Sequence, residues 1–117
     1  MREVNLMEKQ INVCIYCRVT DKRNIDLLHY QADLLDAYAS KHNYAVFGLL
    51  KRIDDGHNIR SSALQTLIDS IIFESIDAVL VYSKDRLLCN TDALTEFELL
   101  CHMHNVSIIT YKNEVYI

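Results

Sequence analysis

Apolar positions along the chain alternate between short unbroken runs and longer stretches in which they recur every three or four residues. Ile11 to Val19 (INVCIYCRV) is short, apolar and β-branched, the pattern of a buried strand. From Asp26 to His42 the period becomes helical, with Leu27, Leu28, Gln31, Leu34, Leu35, Tyr38 and Ala39 on one face. Tyr44 to Leu50 (YAVFGLL) reads as a second strand, and the polar stretch Lys51 to Ile59 as the loop that follows it. Ser61 or Ser62 is placed to cap a helix whose apolar stripe is Leu64, Leu67, Ile68, Ile71 and Ile72. Asp77 to Tyr82 (DAVLVY) is a third strand. Thr91 or Asp92 then caps a helix carrying Leu94, Phe97, Leu100 and Cys101. Asn105 is the expected helix stop, Val106 to Tyr111 (VSIITY) a fourth strand, and Glu114 to Ile117 a short returning edge strand.

This alternation predicts a three-layer α/β domain: a mostly parallel sheet of four to five strands with helices on both faces. At 117 residues, with half of them hydrophobic and 24% charged, the chain builds one core and is not disordered. There is no internal repeat, no low-complexity tract and no proline, and nothing resembles an interdomain linker. Residues 1–10 are expected to form an N-terminal extension and 11–117 the domain. That extension carries charges throughout and lacks the apolar core of a secretory signal. With no stretch long and apolar enough to span a membrane, the expected setting is the cytoplasm, where thiols stay reduced.

The net charge of −4, from 12 basic and 16 acidic side chains, argues against a self-sufficient DNA binder but leaves room for a local arginine cluster. Cys14 and Cys17 are spaced as CxxC. Residues three apart on a strand point to opposite faces, so the pair is read as buried apolar cysteine and not as a metal or disulfide site. His102 and His104, two apart on a helix, point about 200° apart and do not converge on a metal. His29, His42 and His57 have no assignable partner. Neither GxGxxG nor GxxxxGK[ST] occurs, which excludes the common dinucleotide and P-loop nucleotide sites. No metal and no cofactor is expected.

Ligands of parallel sheets bind beyond the carboxyl ends of the strands. The residues placed there are Arg18 and Thr20 after the first strand, Asp54 to Arg60 after the second, and Lys84, Asp85, Arg86 and Asn90 after the third. Three arginines would converge beside a hydroxyl. Guanidinium groups match phosphate oxygens and stay charged, so the set fits phosphoryl transfer through a covalent enzyme intermediate. Taken singly, each arginine also fits a solvated loop residue or a local salt bridge.

At these positions the sequence resembles the catalytic domain of the serine recombinases (resolvases and invertases). Tyr16-Cys17-Arg18-Val19-Thr20 is similar to the family's Tyr-x-Arg-Val-Ser motif, and Tyr30-Gln31-Ala32 to its glutamine near the start of the first helix. Asp54-Asp55-Gly56 followed by Arg60 resembles its acidic-glycine loop. Ser83-Lys84-Asp85-Arg86-Leu87-Leu88-Cys89-Asn90 resembles its Asp-Arg-Leu-x-Arg-Asn motif. The resemblance runs from about Ile11 to Tyr111. It implies DNA cleavage and rejoining through a hydroxyl–phosphate protein–DNA intermediate, without metal or nucleotide, by dimers that pair into a tetramer. It also implies Arg18, Arg60 and Arg86 on the scissile phosphate, and Asp85 orienting an arginine or moving a proton. Gln31, Asn90 and Cys89 would support the site.

Two positions depart from that pattern. Thr20 stands where the family has its serine nucleophile, and its methyl hinders in-line approach and stiffens χ1. Cys89 stands where the family has a second arginine, which removes a fixed positive charge. The family's long helix and DNA-binding region are absent from this chain, so DNA affinity is expected from another module. Two readings follow: a recombinase catalytic domain using Thr20, or a catalytically inactive binding or dimerisation module of the same fold. Retention of Arg18, Arg60, Asp85 and Arg86 favours the first; Thr20 and Cys89 favour the second. A generic flavodoxin-like domain or receiver fits poorly, because the first strand ends in Arg18 and Thr20 where a receiver needs an acidic pair.

Overall fold

The computed structural model describes residues 10–112. Four strands form one wholly parallel sheet in the order β2-β1-β3-β4: β1 Asn12–Val19, β2 Ala45–Ile53, β3 Ala78–Val81 and β4 Ser107–Thr110. The helices are α1 Ile25–Lys41, α2 Ser62–Phe73, a single turn α3 Lys84–Leu87, and α4 Thr91–Met103. A 3₁₀ turn, Lys22–Asn24, leads into α1. This is the expected three-layer α/β architecture with four strands. The edge strand anticipated at Glu114 to Ile117 lies outside the described residues, as does all of the N-terminal extension except Gln10.

β1 is the centre of the molecule, and its residues Val13 to Val19 are all buried. Side-chain alternation divides it between two cores. Val13, Ile15, Cys17 and Val19 pack with Leu28, Ala32, Leu35 and Ala39 of α1. Cys14 and Tyr16 pack on the other face with Leu64, Leu67 and Ile71 of α2, Leu87 and Leu88, and Phe97 and Cys101 of α4. The CxxC cysteines therefore sit in different cores, as their spacing requires.

Three expectations are corrected. β2 continues through Lys51, Arg52 and Ile53, because Arg18 and Val19 of β1 pair with Arg52 and Ile53. As an edge strand it carries exposed and half-buried residues in alternation, which makes its last residues look like loop. The face that α1 buries is Leu28, Gln31, Ala32, Leu35 and Ala39, while Leu27 is exposed and Leu34 and Tyr38 are half-buried. The apolar stripe is wider than the contact with the sheet, and its flank turns toward the ends of β3 and β4. Finally, α4 is capped by Asn90 and not by Thr91 or Asp92: the Asn90 Oδ1 accepts from the Ala93 N–H at 3.1 Å.

α1 and α4 end in the same way. Asn43 (φ 60°) and Asn105 (φ 59°) adopt the left-handed conformation one residue past the cap. The next residues close the motif, with Tyr44 N–H donating to Ala39 C=O and Val106 N–H to Cys101 C=O, both at 2.8 Å. Both helices thereby stop just before the chain enters a strand. Asn105→Gly is expected to keep or slightly raise stability, whereas Asn105→Val should lower it by about 1–2 kcal/mol in urea unfolding.

Candidate active site

The carboxyl ends of β1, β2 and β3 meet around the Arg18 side chain. Arg18 is the last residue of β1 on the α2/α4 face and is 1% exposed. A guanidinium has five N–H donors, and burying it is tolerable only when they are satisfied. All five are. Nε donates to the Arg86 carbonyl at 3.1 Å, and Nη1 to the Asp54 carbonyl at 2.7 Å and to Thr20 Oγ1 at 3.2 Å. Nη2 donates to the Asp85 carbonyl at 2.7 Å and to Cys89 Sγ at 3.1 Å. One side chain thus ties together the ends of β1 and β2 and the α3 turn.

Gly56 roofs this side chain. Its φ is +76°, and a Cβ there would lie 2.7 Å from Arg18 Cζ. Only glycine meets both conditions. The loop is held in place by the Asp54 carboxylate, which accepts from Gly56 N–H at 3.0 Å, and by Cys89 N–H, which donates to the Gly56 carbonyl at 2.7 Å. From the opposite side, buried Gln31 braces the backbone of Arg18, accepting from its N–H at 3.3 Å and donating to its C=O at 3.0 Å. β3 pairs with β1 only over Val13 to Ile15. Gln31 satisfies the peptide groups of β1 where that neighbour strand has ended.

The remaining residues fall into three groups. Thr20 is an exposed residue, and its hydroxyl accepts from Arg18. The Asp85 carboxylate accepts a hydrogen bond from the Ser83 hydroxyl, and Asp85 orients Arg18 through its carbonyl, not through its carboxylate. Asn90 serves as the α4 cap. Arg60 is exposed in the loop before α2, its backbone N–H on Asn58 Oδ1 at 2.9 Å, and Arg86 is half-buried. Among the described residues, the guanidinium of neither Arg60 nor Arg86 has a hydrogen-bond or ion-pair partner. The structure therefore brings Arg18, Thr20, Asp85, Arg86 and Cys89 together with Gln31. Arg60 it leaves at the rim, bonded to none of them.

Sequence reasoning gave Gly56 no role, although its being one of only two glycines was the available signal. It also placed Arg18 on a ligand, where the structure satisfies every donor of that side chain within the protein.

Burial pushes the Cys14 thiol up to about 11 and those of Cys17 and Cys101 up to about 12. Tyr16 is likewise raised to about 12, chiefly by burial and then by the nearby Asp54 charge. Cys89 is exposed.

The sequence model described as "Resolvase, N terminal domain" matches residues 13–117. The fold and this match together define an α/β catalytic domain of the serine recombinase class. The chain belongs to the resolvase family. A resolvase-like protein of Acanthamoeba polyphaga mimivirus is 29% identical over 114 residues, covering 97% of this chain and 57% of that protein. The chain thus spans little more than half the length of that relative. Among solved structures, the C-terminal catalytic domain of ISC1926 TnpA, an IS607-like serine recombinase, superposes with a TM-score of 0.81 at 31% identity, over 89% of this chain and 72% of that one. The N-terminal catalytic domain of TP901-1 integrase superposes with a TM-score of 0.73 at 29% identity, over 86% and 76%. No helix among the described residues is long and apolar enough to cross a membrane.

Two outcomes follow from this geometry. Gly56→Ala should cost about 2–4 kcal/mol in urea unfolding, because it combines left-handed strain with displacement of a buried, fully bonded guanidinium. In the folded chain at mildly alkaline pH, an alkylating reagent should modify Cys89 alone. Cys14, Cys17 and Cys101 should react only on denaturation, which peptide mass mapping reads directly.

Proposed function

We propose that this domain cuts and rejoins DNA strands, with the Thr20 hydroxyl as nucleophile. The observation that carries this reading is the Thr20 Oγ1 held 3.2 Å from a guanidinium nitrogen at the sheet edge, on a residue that is itself exposed. Thr20 Oγ bonds to phosphorus as the bond from phosphorus to the 3′ oxygen breaks. The hydroxyl proton leaves, the 3′ oxygen takes one up, and the DNA 5′ end stays on the protein as a phosphothreonine. Attack by a 3′ hydroxyl on that link reverses the step and rejoins the strand.

In this reading the arginines divide their work. Arg18 has no N–H to spare, so it fixes Thr20 and the loops around it. The guanidinium groups of Arg86 and Arg60, which have no partner among the described residues, are the ones available for phosphate oxygens, where they offset charge developing in the transition state. Asp85, held by Ser83, is the carboxylate beside the site suited to proton movement. Most of the affinity for duplex DNA is supplied by a further module, and the working form is a dimer that pairs into a tetramer. The net charge of −4 fits that dependence.

A second reading, an inactive module that keeps the fold and its assembly surface, is favoured by one feature. Cys89 occupies the place of an arginine and accepts from Arg18 Nη2 instead of offering positive charge. The two readings separate in an assay for detergent-resistant protein–DNA adducts on supercoiled plasmid carrying randomised inserts. Active wild-type chain gives adducts that Thr20→Ala lacks, and the Thr20→Ser, Cys89→Arg double variant raises their yield on the order of 10²-fold. Adducts that persist in Thr20→Ala would remove this hydroxyl as the nucleophile. Their absence from every variant would favour the inactive module.

A further inference from the structure

Beside the Arg18 cluster lies a recess of about 150 Å³ lined by Leu27, Tyr30 and Gln31 of α1, by Tyr82 at the end of β3, and by Arg86. It is smaller than the roughly 300–1,000 Å³ of pockets for drug-sized ligands, and so is sized for a single ring system. Its composition is distinctive: two tyrosines, one aliphatic residue, one amide and one guanidinium, with no acidic side chain among the described residues. Among the described residues that guanidinium has no protein partner.

The two rings differ in how firmly they are held. Tyr82 stacks on Tyr111 with centroids 5.6 Å apart and planes 20° from parallel, and the peptide beneath it is fixed by Lys112 N–H donating to the Tyr82 carbonyl at 2.8 Å. Tyr30 is 60% exposed on the outer face of α1. An aromatic ring that far out of the core contributes little to folding, and it stands ready to cover a flat ligand. The recess is joined to the site itself, since the Arg86 carbonyl accepts from Arg18 Nε and the Arg18 fork also holds Thr20.

We propose that this recess seats one unstacked nucleotide of a DNA strand, its base against Tyr30 and Tyr82 and its phosphate on Arg86. The proposal rests on the reading of the Arg18–Thr20 cluster as a DNA-phosphate site and places the nucleotide that carries that phosphate. The pairing of chemistries is specific: a base offers a π face to tyrosine, and its phosphate meets an arginine with free donors. In a chain of net charge −4, binding cannot come from a general basic surface, so it must come from a local arrangement of this kind. A base inside an intact duplex has no free face, so the subsite selects a strand that is open or distorted at this position.

The test is equilibrium binding, which requires no cleavage and therefore stands apart from the fate of Thr20 as a nucleophile. The full chain is titrated with a short fluorescent single-stranded oligodeoxynucleotide and with the same strand carrying one abasic nucleotide. Wild type should prefer the intact strand by about tenfold, the effect of one stacked base. Tyr30→Ala, a surface change that leaves the fold intact by circular dichroism, should abolish the preference, and Tyr30→Trp should restore it. Equal affinity of wild type for the two strands, no binding of either, or a preference that survives Tyr30→Ala would each overturn the proposal. If the preference is present but adducts never form, the subsite stands and the cleavage reading fails. Adducts without the preference leave the cleavage reading standing and remove the subsite.

Discussion

A single buried cation holds the functional end of this molecule together. Arg18 lies at the end of the central strand, withdrawn from solvent, and a guanidinium in that position is stable only if each N–H finds an acceptor. Three of its five acceptors are backbone carbonyls, from Asp54, Asp85 and Arg86. Backbone acceptors constrain the path of the chain, not merely the rotamer of a side chain. The loop after β2 and the α3 turn after β3 must therefore close over Arg18. Much else follows from that closure: the glycine at position 56, the Gln31 brace, and the position of the Thr20 hydroxyl.

This arrangement separates positioning from contact. A charge that satisfies all its donors internally is rigid, and it fixes the Thr20 hydroxyl that it holds. The guanidinium groups of Arg86 and Arg60, at the rim, have no partner among the described residues. Cys89 sits between the two roles. It accepts from Arg18, as the carbonyls do, and so completes the internal set. A thiol, a weak acceptor, is enough to occupy the fifth donor.

The architecture was legible in the chain for a simple reason. Strand and helix periods differ, and a strand buried on both faces, such as Val13 to Val19, has no polar interruption until the site begins at Arg18. The helix stop at Asn105 was equally legible, since few residues tolerate a left-handed backbone. The end of β2 was not, because an edge strand wears a half-polar pattern that resembles a loop. The buried face of α1 was only roughly legible. Its apolar stripe serves two surfaces, the sheet through Leu28 and Leu35 and the rim of the site through Leu27, and periodicity does not divide one from the other.

The local order of apolar and polar residues determined by itself that this chain is a parallel α/β domain, roughly where its strands lie, and which arginines, hydroxyl and carboxylate follow them. These are short-range properties, written in periods of two and 3.6 residues and in motifs a few residues long. Which arginine is buried and which is free was decided only by the tertiary structure. Arg18, Arg60 and Arg86 are chemically identical in the sequence, and their difference is a matter of how many carbonyls the folded loops bring within hydrogen-bond reach. The same holds for the recess at Tyr30 and Tyr82: its walls come from residues 27 to 86, and no local pattern records that they meet.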